Sequence, residues 1–304
     1  MLPQPPVRCA VIPAAGMGTR MLPATKAVPK ELLPVLDRPA VDYAVAEAAA
    51  AGVREVVIVI APAKVSLAAH FTRRPELERE LAARGRRDVL AQLQAIGSGC
   101  RVRFVEQPTP RGLGDAIARA RGLVGAGPFA VLLPDVLIDA EPGGLSQLVE
   151  AFAGDPLLAV HKVGRQDVRR YGIIAPDRRR PGYLADLVEK PAPEAAPSQL
   201  AVTGRYILTP DIFGALLGTA PGAGGEVQLT DALRRLLASG HAVRWQELEG
   251  GIHDLGHLEG WLKANLAMAA RRGLLQEAQP PRALGSWRVR VVPRRHPVRG
   301  GSSR

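Results

Sequence analysis

The sequence is poor in several features that define common classes of protein. It has only two cysteines, Cys9 and Cys100, which excludes a disulfide-stapled secreted scaffold and a cysteine-rich zinc site. No apolar run approaches the roughly 20 residues of a membrane-spanning helix, and the first ten residues lack the apolar core of a signal peptide. Aromatic residues make up 4% of the chain, which leaves little surface for stacking nucleic-acid bases. We therefore expect a cytoplasmic globular protein with no membrane partner and no specific nucleic-acid partner.

Positive charge is concentrated near the C-terminus. The net charge is +11, but residues 282–304 alone contain seven arginines and no acidic residue. The rest of the chain holds 33 Lys+Arg against 29 Asp+Glu, so the body is only mildly basic. Because residues 273–304 have no clear helical or strand period, we predict a basic, disordered tail there, and a flexible N-terminus over 1–6. Such a tail is typical of a solvated chain end or of a contact with an anionic partner.

Short apolar runs alternate with helical segments through the first half of the chain. The runs read as strands buried on both faces of a parallel sheet, over 8–14, 55–61, 101–105 and 129–133. Helices are predicted over 39–51, 75–96 and 113–123. This alternation predicts an α/β fold with a doubly wound, mostly parallel, Rossmann-like sheet. Beyond residue 157, shorter strand-like segments and further helices predict an elaborated second half.

A glycine-containing loop follows the first predicted strand. Gly16 and Gly18 lack the third glycine of the dinucleotide fingerprint, and no Gly-Lys-Ser/Thr of a P-loop is present. The loop is long, running to about residue 37, and it carries Arg20, Lys26 and Lys30. Backbone amides and cations at the carboxyl end of a strand favour a polyphosphate site. On these residues alone, an exposed loop with solvated charges is the open alternative.

The longer motif around that loop resembles a known family. It reads GMGTRMLPATKAVPKELLPVLDRPAVDYAV and is followed, in order, by QPTPRGLGDAI, LLPDVLID, YGII, VEKP, VTGRYIL, GAGGEVQLTDAL and HDLG. This series resembles the bacterial UTP–glucose-1-phosphate uridylyltransferases of the sugar-nucleotidyltransferase family, over about residues 7–270. Pro29-Lys30-Glu31 favours that subtype, since the related thymidylyltransferases usually carry a Ser-Lys-Gln-like variant there. The basic tail lies outside the resemblance.

The resemblance implies one nucleotidyltransferase domain over 7–272, with a nucleotide half of about 7–150 and a sugar-binding half of about 151–272. It implies the substrates UTP and glucose 1-phosphate, the cofactor Mg²⁺, and a homo-oligomer, either dimer or tetramer. The implied nucleotide-binding residues are Ala14, Ala15, Gly16, Gly18, Thr19, Arg20, Lys30, Gln107 and Gly112. Those implied for the sugar phosphate are Gly172, Glu189, Lys190, Gly204 and Glu226. The catalytic residues would be Arg20, Lys30, Asp135 and Lys190, and the metal ligands Asp135 and Asp254.

Several of these residues also have ordinary structural explanations. Asp135 follows Pro134 and could simply start a turn. An exposed Glu-Lys pair such as Glu189-Lys190 is usually solvated. Glu226 stands shortly before a predicted helix, where an acid favours the helix dipole. The family resemblance is what raises these positions to functional candidates.

Residue 115 departs from the family pattern. The family usually has His after Gly-Leu-Gly, whereas this chain has Asp115. We expect an acid here either to weaken nucleotide binding or to cap the following helix through its side-chain oxygen. The departure does not touch the expected metal and phosphate residues.

The reaction implied by the resemblance is UTP plus α-D-glucose 1-phosphate giving UDP-glucose and pyrophosphate, by magnesium-assisted in-line attack. A phosphate monoester has a second pKa of about 6, so its dianion is a nucleophile at neutral pH without a general base. Two alternatives stay open. One is a related transferase that uses dTTP or another sugar 1-phosphate. The other is a non-catalytic sugar-nucleotide sensor, although a sensor has less need for the full set of charged residues.

Overall fold

The computed structural model describes residues 7–275 of the 304-residue chain. The predicted flexible N-terminus and all but the first three residues of the predicted basic tail lie outside the described residues. Within the described part, no helix is long and apolar enough to cross a membrane.

Strands and α-helices alternate along the first half and become less regular in the second. Strands β1 to β13 are Cys9–Ala14, Pro34–Val35, Arg38–Pro39, Glu55–Ile60, Arg101–Glu106, Phe129–Leu132, Val136–Asp139, Leu157–Lys162, Gly172–Pro176, Leu184–Glu189, Leu200–Leu208, Arg244–Glu247 and Gly251–Asp254. Helices α1 to α10 are Ala40–Ala50, Val65–Phe71, Pro75–Ala83, Arg87–Ala95, Leu113–Arg119, Arg121–Val124, Gly144–Ala151, Asp211–Leu217, Leu229–Ala238 and Leu258–Arg271.

The central sheet has the order β10-β9-β11-β6-β1-β4-β5, and β8 and β12 extend it beside β11. Strands β6, β1, β4 and β5 are parallel neighbours, as the apolar runs predicted. Antiparallel pairs occur where β11 meets β6, β8 and β9, and where β9 meets β10. The predicted α/β fold with a large, mostly parallel central sheet is confirmed, and each antiparallel pairing of this sheet involves at least one strand of the second half.

Helices cover both faces of the sheet because its strands are apolar on both sides. Along β1, Val11 and Ile12 are both fully buried but face opposite cores, as the two-residue period of a strand requires. One core is closed by α5, α8 and α9, and the other by α1, α2 and α7. Each such buried Val or Ile contributes about 1.5–3 kcal/mol, so these strands hold the sheet edge that carries the site rigidly.

Gly204 interrupts the regular pairing of β11. The register between β11 and β8 shifts between Val202 and Tyr206, and Gly204 takes a positive φ of 71°. A Cβ atom at Gly204 would lie 2.9 Å from the Leu133 side chain, and the Gly204 carbonyl accepts a hydrogen bond from the Leu133 amide. Glycine therefore allows β11 to approach the turn that follows β6.

Two expected helices are shorter in the structure than in the prediction. The segment 75–96 forms two helices, α3 and α4, because Gly85 takes a left-handed conformation with φ 68° between them. The segment 113–123 divides at Ala120 into α5 and α6. Neither difference moves a candidate site residue. More important for the site is the unpredicted ribbon of β7 and β13, which pairs Val136 with Asp254.

Candidate active site

The loop after β1 folds tightly over Lys30. Gly18 adopts φ 68°, and its carbonyl accepts a hydrogen bond of 2.8 Å from the Thr25 hydroxyl. A Cβ atom at Gly18 would touch the Lys30 side chain at 3.4 Å. Short 3-10 turns at Thr19–Met21 and Lys30–Leu32 carry Arg20 and Lys30, two of the three cations of the loop. The fold of the loop brings Arg20 and Lys30 beyond the carboxyl end of β1.

Both cations converge on Asp135, which lies in the turn between β6 and β7. The Lys30 ammonium donates to Asp135 Oδ2 at 2.5 Å, and Arg20 Nη2 lies 3.9 Å from the same oxygen. Burial would raise the pKa of the Asp135 carboxyl, but the charges of Lys30 and Arg20 outweigh it, so the pKa is lowered. Burial would likewise lower the pKa of Lys30, but Asp135 and Glu31 outweigh it. Asp135 is therefore a carboxylate and Lys30 an ammonium at neutral pH.

A second ion pair, Lys64–Glu31, connects this loop to the end of β1. Lys64 donates to both oxygens of the fully buried Glu31 carboxylate, at 2.8 and 2.9 Å, and to the Ala14 carbonyl at 2.7 Å. Because Glu31 directly follows Lys30, this pair fixes the backbone of the glycine-containing loop against Ala14, the last residue of β1. No sequence pattern predicts this pair, since the two partners are 33 residues apart and belong to no shared motif.

The ribbon of β7 and β13 places Asp254 beside Asp135. The amide of Leu255 donates to the Asp135 carbonyl at 2.7 Å. Asp254 Oδ1 accepts from the Gly256 amide at 2.8 Å, and its Oδ2 accepts from Arg170 Nη2 at 3.0 Å. Arg170 was not among the predicted residues. It stands one position before the YGII motif, which is the only sequence signal that could have drawn attention to it.

These groups share one cleft of about 160 Å³. Arg20 and Asp135 come from the first half of the chain, and Arg170, Gly204 and Asp254 from the second. The other lining residues are Leu133, Val136, His161, Tyr171, Val202, Thr203 and Ile252. A larger cavity of about 500 Å³ lies beside α2, α3 and α4, but none of the predicted site residues lines it. The smaller cleft is therefore the place where charged groups of both halves meet.

The two carboxylates of the cleft fit a magnesium ion. Residues 7–275 contain no group of three or more His, Cys, Asp or Glu side chains that could enclose a metal alone. Mg²⁺ does not need such a cage, because it is typically held by one or two carboxylates together with substrate phosphates and water. The hard carboxylate oxygens of Asp135 and Asp254, which line one cleft with the cations Arg20 and Arg170, match that requirement.

Glu189 is the last residue of strand β10, and Lys190 follows it directly. Glu189 Oε2 accepts a 2.6 Å hydrogen bond from Thr230, and Glu189 pairs with Gly172 across the sheet. A side chain at Gly172 would crowd that carboxylate, since its Cβ would lie 3.3 Å away. Lys190 has a positive φ of 43°, and its amide donates to the carbonyl of Tyr171, which lines the cleft. The Lys190 ammonium lies 3.3 Å from Glu189 and outside the cleft lining.

Gln107 and Gly112 form a separate patch beyond the ends of β4 and β5. Gln107 is buried, and its side-chain Nε2 donates to the Gly112 carbonyl at 3.1 Å and to Asp115 Oδ2 at 2.8 Å. A Cβ atom at Gly112 would lie 2.8 Å from Glu226, so Gly112 must remain glycine. Glu226 therefore lies against the predicted nucleotide patch.

The expectation that Asp115 caps the following helix is wrong. Helix α5 begins after Gly112, and no side chain caps it. Asp115 instead accepts from Gln107 and lies 3.5 Å from Arg119, one helical turn further on.

Comparison with known proteins identifies the family of this chain. The family model for nucleotidyl transferase matches residues 9–271. The chain belongs to the nucleotidyl transferase family.

Within that family, the relatives are consistent in name. The chain is 41% identical to UTP–glucose-1-phosphate uridylyltransferase 2 of Staphylococcus saprophyticus, over 87% of this chain and 93% of that protein. It is 39% identical to UTP–glucose-1-phosphate uridylyltransferase of Bacillus subtilis, over 90% and 95%. A crystal structure of UDP-glucose pyrophosphorylase complexed with UDP-glucose superimposes with a TM-score of 0.78 at 39% identity, covering 88% of this chain and 100% of that one. The resemblance to the UTP–glucose-1-phosphate uridylyltransferases is thereby confirmed.

Proposed function

We propose that this protein transfers a uridylyl group from UTP to α-D-glucose 1-phosphate, giving UDP-glucose and pyrophosphate. The observation that carries the proposal is the convergence of Arg20 and Lys30 on Asp135, which lines one cleft together with Arg20 and Asp254. Two anionic substrates repel each other, and a site that joins them must bring positive charge between them. Because the chain belongs to the nucleotidyl transferase family, we infer that these positive charges serve uridylyl transfer.

The nucleotide half of the domain, about residues 7–150, binds UTP. Backbone amides of the loop Ala14–Ala15–Gly16 and of Gly18 and Thr19 surround the phosphates, and Arg20 and Lys30 hold the β- and γ-phosphates. Lys30 pairs with Asp135, which holds its ammonium in place for a phosphate. Gln107 and Gly112 read the base.

The metal-binding residues are Asp135 and Asp254. A magnesium ion bound there would supply positive charge between the nucleotide and the sugar phosphate. The lowered pKa of Asp135 keeps this carboxylate ionised and available as a ligand at neutral pH.

The sugar half, about residues 151–272, positions glucose 1-phosphate. Lys190 neutralises the monophosphate, and Glu189, oriented by Thr230, accepts hydrogen bonds from sugar hydroxyls. Gly172 and Gly204 keep the wall of the site free of side chains.

An oxygen of the sugar phosphate dianion attacks the α-phosphorus of UTP. A new P–O bond forms as the bond to the bridging oxygen breaks, and pyrophosphate leaves with the electron pair. Arg20 and Lys30 stabilise the negative charge that develops on the departing pyrophosphate. No side chain has to remove a proton, since the attacking phosphate is already a dianion at neutral pH.

We also propose that the protein is a homo-oligomer, either dimer or tetramer. Helix α10 exposes Leu258, Leu262 and Leu266, each 50% or more accessible, at four-residue spacing along one face. Light scattering should report a mass of two or four chains, and a monomer at micromolar concentration would reject this part of the proposal.

Because UTP is a cytoplasmic metabolite, we place the activity in the cytoplasm.

A substrate panel tests the proposed reaction. Purified full-length protein is assayed for pyrophosphate release with UTP, dTTP and CTP, each with glucose 1-phosphate or galactose 1-phosphate, with and without Mg²⁺. We expect release with UTP and glucose 1-phosphate, dependent on the metal. Preference for dTTP or for another sugar would favour the related transferase. Nucleotide binding without turnover for any pair would favour the sensor.

A further inference from the structure

Gln107 is anchored more firmly than a base-reading side chain needs to be. Its backbone amide donates to the Ile60 carbonyl at 2.8 Å, which ties it to the end of β4. Its side chain is 3% exposed and sits between Gly112 and Asp115. Both ends of this residue are therefore fixed before any ligand binds.

The hydrogen bonds of Gln107 also fix which end of its amide faces outward. A primary amide has two N–H donors and one oxygen acceptor. The Nε2 group donates to the Gly112 carbonyl and to the Asp115 carboxylate, which uses both donors. Among residues 7–275, no buried side-chain nitrogen or oxygen lacks a partner, and no protein donor reaches Gln107 Oε1. This oxygen is therefore accessible and is the group that Gln107 can offer to a ligand.

Asp115 makes the reversed amide unfavourable. If the Gln107 amide rotated by half a turn, its oxygen would face the Gly112 carbonyl and the Asp115 carboxylate, both acceptors. A hydrogen bond to a charged group is stronger than one to a neutral carbonyl, so Asp115 contributes the larger part of this bias. Arg119, 3.5 Å from Asp115, lies on the helix and does not reach Gln107 through any hydrogen bond of the described residues.

We propose that Asp115 is a positioning residue that holds the Gln107 amide with Oε1 toward the base and so contributes to the choice of uracil. This inference rests on the proposed function, in which Gln107 reads the base. Uracil carries a ring N–H donor at N3, which an amide oxygen can accept. Cytosine carries an acceptor at N3 instead, so the lone pair of N3 would face the lone pairs of Gln107 Oε1 and no hydrogen bond could form. Discrimination is strong when a mismatch leaves buried polar groups unpaired.

The test compares UTP with CTP in binding, without the second substrate. Dissociation constants of the Mg²⁺ complexes are measured by titration calorimetry for wild type, Asp115→Ala, Asp115→Asn, Gln107→Ala and the double variant Gln107→Ala/Asp115→Ala. Arg119→Ala is the matched control, because it removes the other partner of Asp115 and leaves the bond to Gln107. Thermal unfolding of each variant verifies that it is folded.

We expect Asp115→Ala to reduce the preference for UTP over CTP by about tenfold or more. Asp115→Asn should retain more of it, because the Asn oxygen can still accept from Nε2. Arg119→Ala should keep the preference within about twofold. In the Gln107→Ala background, adding Asp115→Ala should change nothing further, because its effect passes through Gln107.

Two results would overturn the inference. An equal loss of affinity for UTP and CTP in Asp115→Ala would indicate a general effect of the charge or of helix α5. An undiminished effect of Asp115→Ala in the Gln107→Ala background would show that Asp115 acts by another route.

A 3-deaza analogue of UTP, which lacks the N3 donor, supplies an independent check: wild type should reject it and Asp115→Ala should reject it less. If wild-type protein does not bind UTP at all, the proposed function fails and not the positioning role alone.

Discussion

The two lysines assigned to the phosphates are held very differently. Lys30, in the nucleotide half, is 17% exposed and paired with Asp135 at 2.5 Å. Lys190, in the sugar half, is 56% exposed and lies 3.3 Å from its own neighbour Glu189. Lys30 therefore has little conformational entropy left to lose on binding, whereas Lys190 has most of its rotamers to fix. The proposed function therefore implies that the side carrying Arg20 and Lys30, the nucleotide wall, is organised before binding. It implies equally that the side carrying Glu189 and Lys190, the sugar wall, is completed when glucose 1-phosphate binds.

The same contrast exists in the backbone. Arg20 and Lys30 stand on a loop fastened to parallel strands that are buried on both faces, and the Lys64–Glu31 pair fixes that loop further. The sugar half is built on antiparallel strands with a register shift at Gly204, and Lys190 follows the end of an outer strand. A rigid half that holds the triphosphate and a more adjustable half for the sugar phosphate fit a reaction in which only the positions of two anions matter.

The largest expected effect concerns Asp135, the carboxylate that lies between the two walls. Asp135→Asn keeps the shape of the side chain but removes the charge that pairs with Lys30 and would bind the metal. We expect metal-dependent turnover to fall by about a hundredfold or more, while thermal unfolding stays cooperative. Steady-state pyrophosphate release at several Mg²⁺ concentrations measures this.

Asp139→Asn is the matched control. Asp139 ends β7, the strand that begins directly after Asp135, and its carboxylate pairs with Arg271 at the surface. Such a pair contributes little to stability, and turnover should stay close to wild type. Turnover of Asp135→Asn within a few-fold of wild type would remove the metal assignment.

A second variant tests whether the two halves are one cooperative unit. Arg205, on β11, is buried and pairs with Glu47 on α1 while donating to the Leu133 and Val136 carbonyls. Arg205→Met leaves Glu47 as an unpaired, largely buried charge, so we expect the free energy of unfolding to fall by about 3–5 kcal/mol. Denaturant unfolding, followed by fluorescence and circular dichroism, measures it.

Adding Glu47→Gln to Arg205→Met separates the cost of the unpaired Glu47 charge from the loss of the other Arg205 hydrogen bonds. The double variant should recover part of the lost stability, since no unpaired charge remains. If Arg205→Met unfolded in two separate transitions, the halves would be independent units. A loss below about 1 kcal/mol would mean that the pair does not couple them.

The third variant addresses the adjustable wall directly. Lys190→Ala removes the cation proposed for the monophosphate, so the KM for glucose 1-phosphate should rise by about tenfold or more. The KM for UTP should change by less than about twofold, because UTP binds on the other wall. Lys162→Ala, at an exposed lysine of the same half, is the control. An equal rise in both KM values would exclude Lys190 from the sugar-phosphate site.

The smallest effect is a pH dependence in the sugar wall. Burial is the main cause that lowers the pKa of His161, which lines the cleft and contacts Thr203 at 3.0 Å. Its pKa in the unfolded chain is about 6.5, so below that pH the unfolded chain takes up a proton more readily than the folded protein. Stability should therefore be full above about pH 6.5 and should decline as the pH falls.

His161→Gln should flatten this decline. The free energy of unfolding is measured for both proteins at pH 7.5, 6.5 and 5.5, and the exposed His241→Gln supplies a control of the same type. An identical pH slope in wild type and His161→Gln would show that His161 is not the group responsible.

Much of the nucleotide wall could be predicted because its rules are local. A buried apolar run, a glycine turn and cations in one loop are consecutive in sequence, and the geometry of parallel strands brings Asp135 to the same sheet edge as Arg20 and Lys30. Helix boundaries were less accessible, since the break at Gly85 depends on a left-handed conformation that glycine permits but does not require.

The contacts that could not be predicted join residues far apart in the chain. Arg170 meets Asp254, and Lys64 meets Glu31, through positions that no spacing rule connects. Asp115 shows the same limit at short range. Its sequence position was compatible with a helix cap. In the structure its carboxylate instead accepts a hydrogen bond from Gln107, eight residues earlier. Sequence patterns identify the elements of the cleft, and tertiary packing decides which partners its charged side chains take.

The most direct test of the account is a crystal structure of the full-length protein with UDP-glucose and Mg²⁺. The account predicts that the diphosphate lies in the cleft beside Asp135 and Asp254, with Arg20 and Lys30 on one side and the Lys190 ammonium turned toward it on the other. A diphosphate bound in the cavity beside α2, α3 and α4, or one that leaves Lys190 pointing into solvent, would contradict it.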